Sequence, residues 1–167
     1  MMKTHLRSSL IPDATTLVSR QVRFGLLLAS LAFAGSVTAE PAAALWTDDH
    51  PAALEKAKSE KKDVLMDFTG SDWCGWCMKL NREVFSTQKF KDYADTNLVL
   101  LEVDFPQRKP QPAEQKQANQ ALQQQYQIQG YPTIIVLNPE GRKVGTLGYQ
   151  PGGPKAFIAA LEKLKGK

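Results

Sequence analysis

The sequence predicts an α/β fold in which a central mixed sheet of about four strands lies between two layers of helices. Two apolar runs, residues 64–68 and 98–105, have the near-continuous hydrophobicity of parallel strands buried on both faces. A helix-compatible stretch separates them, so a strand–helix–strand unit with a right-handed crossover is expected. Nearer the C-terminus, residues 138–141 predict a tight turn between strands 134–137 and 143–149. The sheet is therefore expected to contain parallel and antiparallel pairs.

Helices are predicted from capping residues and from the spacing of apolar side chains. Asp48 or Asp49 can cap a helix that begins near Pro51, and the pair Ser86 and Thr87 can cap a later one. The predicted helices span residues 51–58, 78–85, 88–94, 113–125 and 155–165.

Two of these helices show an apolar face. In helix 113–125 a narrow stripe is expected from Ala118, Leu122 and Tyr126, with the many glutamines on a solvated face. The last helix has a face formed by Phe157, Leu161 and Leu164.

Two further segments stand outside this pattern of strands and helices. Residues 106–112 contain three prolines and predict an exposed loop, because proline suits neither helix interiors nor central strands. Leu45 and Trp46 are compatible with a short strand or with an apolar anchor.

The first 39 residues have the pattern of a secretory signal peptide. Arg20 and Arg23 precede an uncharged run of 16 residues that ends in small side chains, which favours cleavage between Ala39 and Glu40. That run is shorter than the roughly 20 residues of a membrane span, although an uncleaved anchor remains an alternative. The polar stretch before Arg20 is long for a signal peptide, so the true start codon can lie downstream of Met1. We therefore divide the chain into a signal peptide, 1–39, and one domain, 40–167, that is periplasmic or secreted.

Charge gives no indication of a nucleic-acid partner. The chain contains 21 basic and 17 acidic residues, but four of the basic and one of the acidic residues lie within the first 39. The remaining 17 and 16 nearly balance, and we find no basic patch. No cofactor is predicted, and we expect a monomer.

The chain contains only two cysteines, Cys74 and Cys77. If they form the first turn of a helix, the i,i+3 spacing places both on one face, within the roughly 4.4–6.8 Å between Cα atoms that a disulfide needs. Cys74 would then lie at the helix N-terminus, where the macrodipole lowers a thiol pKa from about 8.5 to roughly 3.5–7.5. This arrangement places an attacking thiolate beside a resolving thiol.

The sequence favours two other uses of the cysteines less. A bridge that closes a two-residue gap constrains the unfolded chain little, which favours reversible exchange over a plain structural disulfide. A structural zinc site needs four ligands, and His50 is the only histidine after residue 39. We expect His50 at the surface and predict no metal.

Taken together, these motifs resemble the thioredoxin family. The resemblance rests on residues 64–68, 73–77, 130–133 and 138–141, and it extends over residues 45–165. The chain is most similar to secreted bacterial thioredoxin-like proteins related to the reducing domain of thiol:disulfide interchange proteins, which also carry Thr-Gly-Ser-Asp-Trp-Cys before the motif. The resemblance implies the thioredoxin fold, with three layers in the order α/β/α.

The family also implies roles for single residues. Cys74 matches the nucleophile and Cys77 the resolving thiol. Asp67 matches a buried carboxylate below the cysteines, where a raised pKa would let it accept the Cys77 proton directly or through water. Pro132 matches a cis-proline that faces the disulfide and leaves the backbone of Tyr131 free to pair with an extended substrate. The alternatives are an Asp67 partly reached by solvent and an ordinary trans proline.

Two positions depart from the family pattern. Gly75 and Trp76 replace the Gly-Pro of thioredoxin or the Gly-His of protein disulfide isomerase, so the redox potential cannot be carried over. Glu102 stands where a lysine is common near the buried carboxylate, and two carboxylates would raise each other's pKa unless Glu102 points away. Trp73 and Trp76 would flank an exposed thiol, although Trp73 is also compatible with a packing role.

The resemblance thus predicts an extracytoplasmic thiol–disulfide oxidoreductase, and in particular a disulfide reductase. Its substrates would be protein or peptide disulfides, contacted by Trp73, Gly75, Trp76, Tyr131 and Pro132. A membrane thiol electron carrier would reduce it again. A disulfide oxidase, an isomerase and a non-enzymatic partner-binding module are the alternatives.

Overall fold

The computed structural model describes residues 45–165, which form a five-stranded mixed sheet with helices on both faces. The strands are Trp46–Thr47 (β1), Asp63–Thr69 (β2), Leu98–Asp104 (β3), Thr133–Leu137 (β4) and Lys143–Leu147 (β5). The helices are His50–Glu60 (α1), Gly75–Leu80 (α2), Gln88–Asn97 (α3), Ala113–Gln125 (α4) and Gly153–Lys165 (α5). A π-helical turn, Asn81–Phe85, follows α2 directly.

Strand β2 lies at the centre of the sheet, whose strand order is β1-β3-β2-β4-β5. It runs parallel to β3 and antiparallel to β4, and β4 and β5 form the predicted antiparallel hairpin. All seven residues of β2 are buried, as expected for a strand that has neighbours on both sides and helices on both faces. The mixed sheet is confirmed.

The sheet has one strand more than the sequence predicted. Of the two possibilities for the segment after residue 44, the strand is correct. Trp46 pairs with Leu100 and Thr47 with Leu101, in parallel register. The two-residue strand is too short to show a period of its own, so only its pairing with β3 identifies it.

Alternation along β2 divides the core into two clusters, one on each face of the sheet. Val64, Met66 and Phe68 pack with α1 and α4, whereas Leu65 packs with Leu80 of α2 and with side chains of α3 and α5. The α/β/α layering and the thioredoxin fold are therefore confirmed. The cysteine helix belongs to the second of these layers.

The helix ends follow the predicted caps. Asp49 Oδ1 accepts a hydrogen bond from the Ala52 amide at 3.0 Å, and Thr87 Oγ1 accepts one from the Phe90 amide at 3.4 Å. The predicted helix 78–85 is instead two elements, because α2 already begins at Gly75 and its backbone passes into the π-helical turn at Asn81.

The apolar stripe predicted for α4 is wrong at one position. Ala118 is exposed, whereas Asn119 is buried at 2% exposure. Asn119 Nδ2 donates to the Asp104 carbonyl at 2.8 Å, and its Oδ1 accepts from Gln115 Nε2 at 2.9 Å. The half-buried Asp104 carbonyl at the end of β3 needs a donor, which accounts for an amide on the inward face of α4.

The predicted signal peptide, its cleavage site and residues 40–44 lie outside the described residues. Within residues 45–165, every helix is too short or too polar to cross a membrane.

We expect Phe157→Ala to lower the free energy of unfolding by about 3–5 kcal/mol, because it leaves a cavity in a close-packed cluster. Phe157 is fully buried in α5, with its ring centroid 5.5 Å from that of Phe85 and 6.1 Å from that of Phe90. Urea denaturation measures the change. Lys155→Ala, at an exposed position of the same helix, is the control and should change stability by less than about 0.5 kcal/mol. Equal losses in the two variants would contradict this account of the core.

Candidate active site

The turn that leads from β2 into α2 is tied to the neighbouring strand. The Ser71 amide donates to Asp104 Oδ1 at 2.8 Å, and the Ser71 hydroxyl donates to Asp104 Oδ2 at 2.5 Å. Because β2 and β3 are parallel, with Thr69 opposite Asp104, this bond joins their carboxyl ends. The cysteine motif therefore begins from a fixed point at that edge of the sheet.

Asp72 ties the same turn to the proline-rich loop, residues 106–112. Its carboxylate accepts backbone N–H bonds from Gln107 at 3.0 Å, Arg108 at 2.7 Å and Lys109 at 2.8 Å. These hydrogen bonds lower the pKa of Asp72, because they stabilise its charged form. The bond from Gln107 has the largest effect. The predicted loop is confirmed, and it lies directly beside the cysteine motif.

Cys74 and Cys77 form a disulfide with their Cα atoms 5.3 Å apart. Cys74 is the N-cap of α2, and the Cys77 amide donates a hydrogen bond to Cys74 Sγ at 3.2 Å. This is the predicted arrangement, with both cysteines in the first turn of a helix. An N–H group directed at Sγ stabilises negative charge there, so the geometry favours Cys74 as the thiolate.

The expectation of an exposed thiol is wrong. Cys74 is buried, with 7% of its surface exposed, and Cys77 is slightly more buried at 4%. The cause is the cap itself, because a side chain that accepts a bond from the first turn lies against the helix and not out in solvent. The assignment of Cys74 as the attacking sulfur rests on its position at the helix cap.

Asp67 lies beneath the cysteine helix. It lies two residues after Leu65 on β2 and therefore faces the same side of the sheet, where Leu65 packs in the same cluster as Leu80 of α2. Its side chain is buried at 7% exposure, and no described residue donates a hydrogen bond to its Oδ1. Burial, with the nearby charges of Glu102 and Asp104, raises the pKa of Asp67 to about 8. The structure therefore does not support the alternative in which solvent partly reaches Asp67.

Glu102 occupies the position on β3 directly beside Asp67. Its side chain is exposed, so the two carboxylates do not share one apolar site. Its charge nevertheless contributes to the raised pKa of Asp67. Glu102, which replaces the lysine common in the family, thus raises the pKa of Asp67 through its charge. It is not a second buried acid.

Trp73 is a packing residue on one flank of the disulfide. Its Nε1 donates to the Phe105 carbonyl at 2.8 Å, and its ring meets the Tyr131 ring edge to face at 5.9 Å. A Cβ atom on Gly70 would lie 2.5 Å from the indole, so only glycine leaves room for it there. Trp73 thus has the packing contacts of one alternative, and 36% of its surface is left exposed.

The structure brings Tyr131 and Pro132 to the same edge of the sheet. Thr133, the next residue, pairs with Phe68 near the carboxyl end of β2. The Tyr131–Pro132 peptide bond is cis. The Tyr131 hydroxyl accepts a hydrogen bond from Gln123 Nε2 at 2.8 Å, so this glutamine of α4 belongs to the support of the site and not only to a solvated face.

Gly75 and Trp76 form the outer surface between the two cysteines. Gly75 is exposed with open space around its Cα, and 57% of the Trp76 surface is exposed. Trp76 contacts Tyr149 and Lys79, which sequence reasoning missed. The i,i+3 spacing of Trp76 and Lys79 could have indicated that contact, but no local signal connects Trp76 with Tyr149.

Phe105 is a further residue that the sequence did not indicate. It follows β3, and its ring lies 5.2 Å from that of Tyr131. Within residues 45–165, no group of three or more His, Cys, Asp or Glu side chains is placed to hold a metal ion.

A disulfide at the start of a helix, above a buried carboxylate, defines a thiol–disulfide oxidoreductase. Residues 50–165 match the family model described as a thioredoxin-like domain, and the chain belongs to that family. It is 39% identical over 121 residues to the disulfide bond reductase DsbH of Chlamydia pneumoniae. The aligned region covers 72% of this chain and 73% of that relative.

Two further comparisons agree with this assignment. The thioredoxin-related protein DsbJ of Chlamydia pneumoniae is 33% identical over 111 residues, which are 65% of this chain and 32% of DsbJ. A solved structure, described as DsbH oxidoreductase, superposes with a TM-score of 0.68 at 38% identity and covers 71% of this chain and 82% of that one.

In the reduced protein we expect the Cys74 thiol to have a pKa of roughly 3.5–7.5, and Cys77 to stay near or above about 8.5 because it is buried. The reason is the Cys77 N–H bond to Cys74 Sγ at the helix start. Thiolate absorbance against pH on Cys77→Ser and Cys74→Ser, which each keep one thiol, measures both values. A Cys74 pKa near 8.5 would refute the helix-terminus argument.

Asp67 should make the oxidised protein less stable as pH rises. Its pKa is about 8 in the folded chain against 3.8 for an ordinary aspartate, so between these values only the folded state holds the proton. The unfolding free energy should then fall by up to about 1.4 kcal/mol per pH unit and level off above pH 8.

The variant Asp67→Asn has no carboxyl group that titrates at this position, so it should not show this pH-dependent loss of stability. We expect it to exceed the wild type in stability by a few kcal/mol at alkaline pH, with the difference shrinking towards acid pH. Chemical denaturation across this pH range measures both proteins. Parallel profiles would show that the pKa of Asp67 is not raised.

Proposed function

We propose that this chain is a disulfide reductase that acts as a monomer on protein or peptide disulfides outside the cytoplasm. The observation that carries the proposal is the Cys74–Cys77 disulfide at the start of α2, with the Cys77 N–H group directed at Cys74 Sγ. The reductase direction is supported by the similarity to a relative named disulfide bond reductase. The signal-peptide pattern of residues 1–39 supports the periplasmic or secreted location.

The first half of the cycle forms a mixed disulfide. The Cys74 thiolate attacks one sulfur of the substrate disulfide, the substrate S–S bond breaks, and a new bond joins Cys74 to that sulfur. The other substrate sulfur leaves as a thiolate and takes up a proton. The limited exposure of Cys74 restricts this attack to disulfides that reach into the turn beside Trp73 and Trp76.

The second half releases the product. Cys77 loses its proton and attacks Cys74 Sγ, which regenerates the Cys74–Cys77 disulfide and frees the second substrate thiol. Two electrons have then passed to the substrate. Asp67 is proposed to take the Cys77 proton, directly or through water, because its pKa of about 8 is close to that of an ordinary thiol.

The oxidised protein must be reduced again before another turnover. We propose that a membrane carrier supplies a dithiol, whose two electrons reopen the Cys74–Cys77 bond while the carrier becomes a disulfide. Tyr131 and Pro132 are proposed to bind the extended chain of the substrate or of the carrier. Their place beside the carboxyl end of β2 supports this role.

Reduction of insulin disulfides by the wild-type protein, with a dithiol as electron source, should be lost in Cys74→Ser. Cys77→Ser should instead accumulate a mixed disulfide, because the attack that resolves it is missing. Turbidity and non-reducing mass analysis measure the two results. Lys116→Ala, at an exposed position of α4, is the control. Failure of the wild type to turn over, or full activity in Cys74→Ser, would favour a non-enzymatic binding module.

The direction of exchange is tested by the redox potential. We expect a value clearly more reducing than that of a strong disulfide oxidant, from equilibration of the cysteine pair with glutathione or dithiothreitol buffers. A potential near about −120 mV, as in a strong oxidant, would assign the chain to disulfide oxidation instead.

A further inference from the structure

The dipeptide between the cysteines carries a surface that the exchange chemistry itself does not use. Trp76 is 57% exposed, whereas the cysteines on either side of it are 7% and 4% exposed. A partner whose sulfur reaches Cys74 approaches a turn in which Trp76 is the most exposed large apolar side chain. A side chain in this place can contribute to the choice of substrate.

Trp76 belongs to a cluster of three side chains that we call the cation–aromatic platform: Trp76, Lys79 and Tyr149. The ring centroids of Trp76 and Tyr149 are 5.0 Å apart at an angle of 45°. Lys79 Nζ lies 5.0 Å from the centroid of each ring. Both distances are within the roughly 6 Å over which a cation is attracted to a ring face.

A hydrogen bond to a neighbouring element fixes one member of the platform, Tyr149. The Tyr149 hydroxyl donates to Glu83 Oε2 at 2.7 Å, which connects the end of the β4–β5 hairpin to the π-helical turn after α2. Lys79 is half-buried, with its Nζ over both aromatic rings. Since these side chains are already ordered, binding through them costs little additional conformational entropy.

The charge of Lys79 remains available to a partner. Among residues 45–165, no carboxylate oxygen lies within 4 Å of Lys79 Nζ. The nearby Glu83 carboxylate is already engaged by the Tyr149 hydroxyl. Ring faces attract an ammonium group but accept no conventional hydrogen bond, so an incoming carboxylate can add such bonds without removing a partner.

We propose that the cation–aromatic platform selects disulfides that carry an acidic side chain next to one half-cystine. Lys79 pairs with that carboxylate, and Trp76 contacts the adjoining apolar part of the substrate chain. This inference rests on the proposed function, because it assigns the substrate preference of the same site.

The test uses three synthetic peptides, each with one disulfide, that differ only in whether Glu, Gln or Lys stands beside a half-cystine. Their kcat/KM values are measured with the wild type, Lys79→Met and Lys79→Arg. Lys116→Met is the matched control, because it removes the same charge from the exposed face of α4, in the helix layer on the other side of the sheet. Comparing peptide ratios between variants cancels intrinsic differences between the peptides and between the enzymes' potentials.

In the wild type we expect the Glu peptide to exceed the Gln peptide by roughly 2–5-fold, the strength of a partly exposed ion pair, and the Lys peptide to be poorest. Lys79→Met should remove this preference, whereas Lys79→Arg and Lys116→Met should keep it. Added salt should weaken it.

Two results would contradict the proposals, and they can be told apart: one rejects the substrate preference alone, and the other rejects the proposed function. If the three peptides are reduced equally by the wild type, or if Lys79→Met keeps the wild-type ratios, the platform does not select acidic substrates although the enzyme works. If no peptide is reduced in a Cys74-dependent manner, the proposed function itself is wrong.

Discussion

One hydrogen bond, from the Cys77 amide to Cys74 Sγ, joins the architecture of this protein to its chemistry. A helix start has N–H groups without partners, and an oxygen of Ser, Thr, Asp or Asn usually accepts one of them. Here the acceptor is the sulfur that is proposed to react. A thiolate accepts this bond better than a thiol does, so the group that satisfies the helix is stabilised in its reactive form. The same bond holds Cys74 against the helix and limits its exposure.

Strand β2 supplies the support for that helix, and it does so with a destabilising residue. Its seven residues are buried between β3 and β4, and Asp67 is a carboxyl group in the middle of the strand. Burial and the nearby acids favour its neutral form, which raises its pKa into the range of thiols. An apolar residue would suit the core better. A buried carboxyl group at this position is consistent with the proton transfer proposed for Asp67.

The two tryptophans beside the cysteines are held in different ways. Trp73 Nε1 donates a hydrogen bond to the Phe105 carbonyl, and the indole packs over Gly70. Trp73 thus joins the cysteine turn to the segment that follows β3. Trp76 contacts Tyr149 and Lys79 on the other flank and presents more than half of its surface to solvent. One flank of the disulfide is thus a packed support, and the other is an ordered but accessible surface.

The sequence alone determined the features that depend on neighbours along the chain: the buried strands, the hairpin, the caps of α1 and α3 to within one residue, and the pairing of two cysteines within one helical turn. Only the tertiary structure decided which face of α4 turns inward, where Asn119 and not Ala118 is buried, and that a two-residue β1 joins the sheet. It also decided the burial of Cys74 and the meeting of Trp76 with Tyr149, residues 73 positions apart. Such contacts follow from the packing of distant segments, and local periodicity carries no information about them.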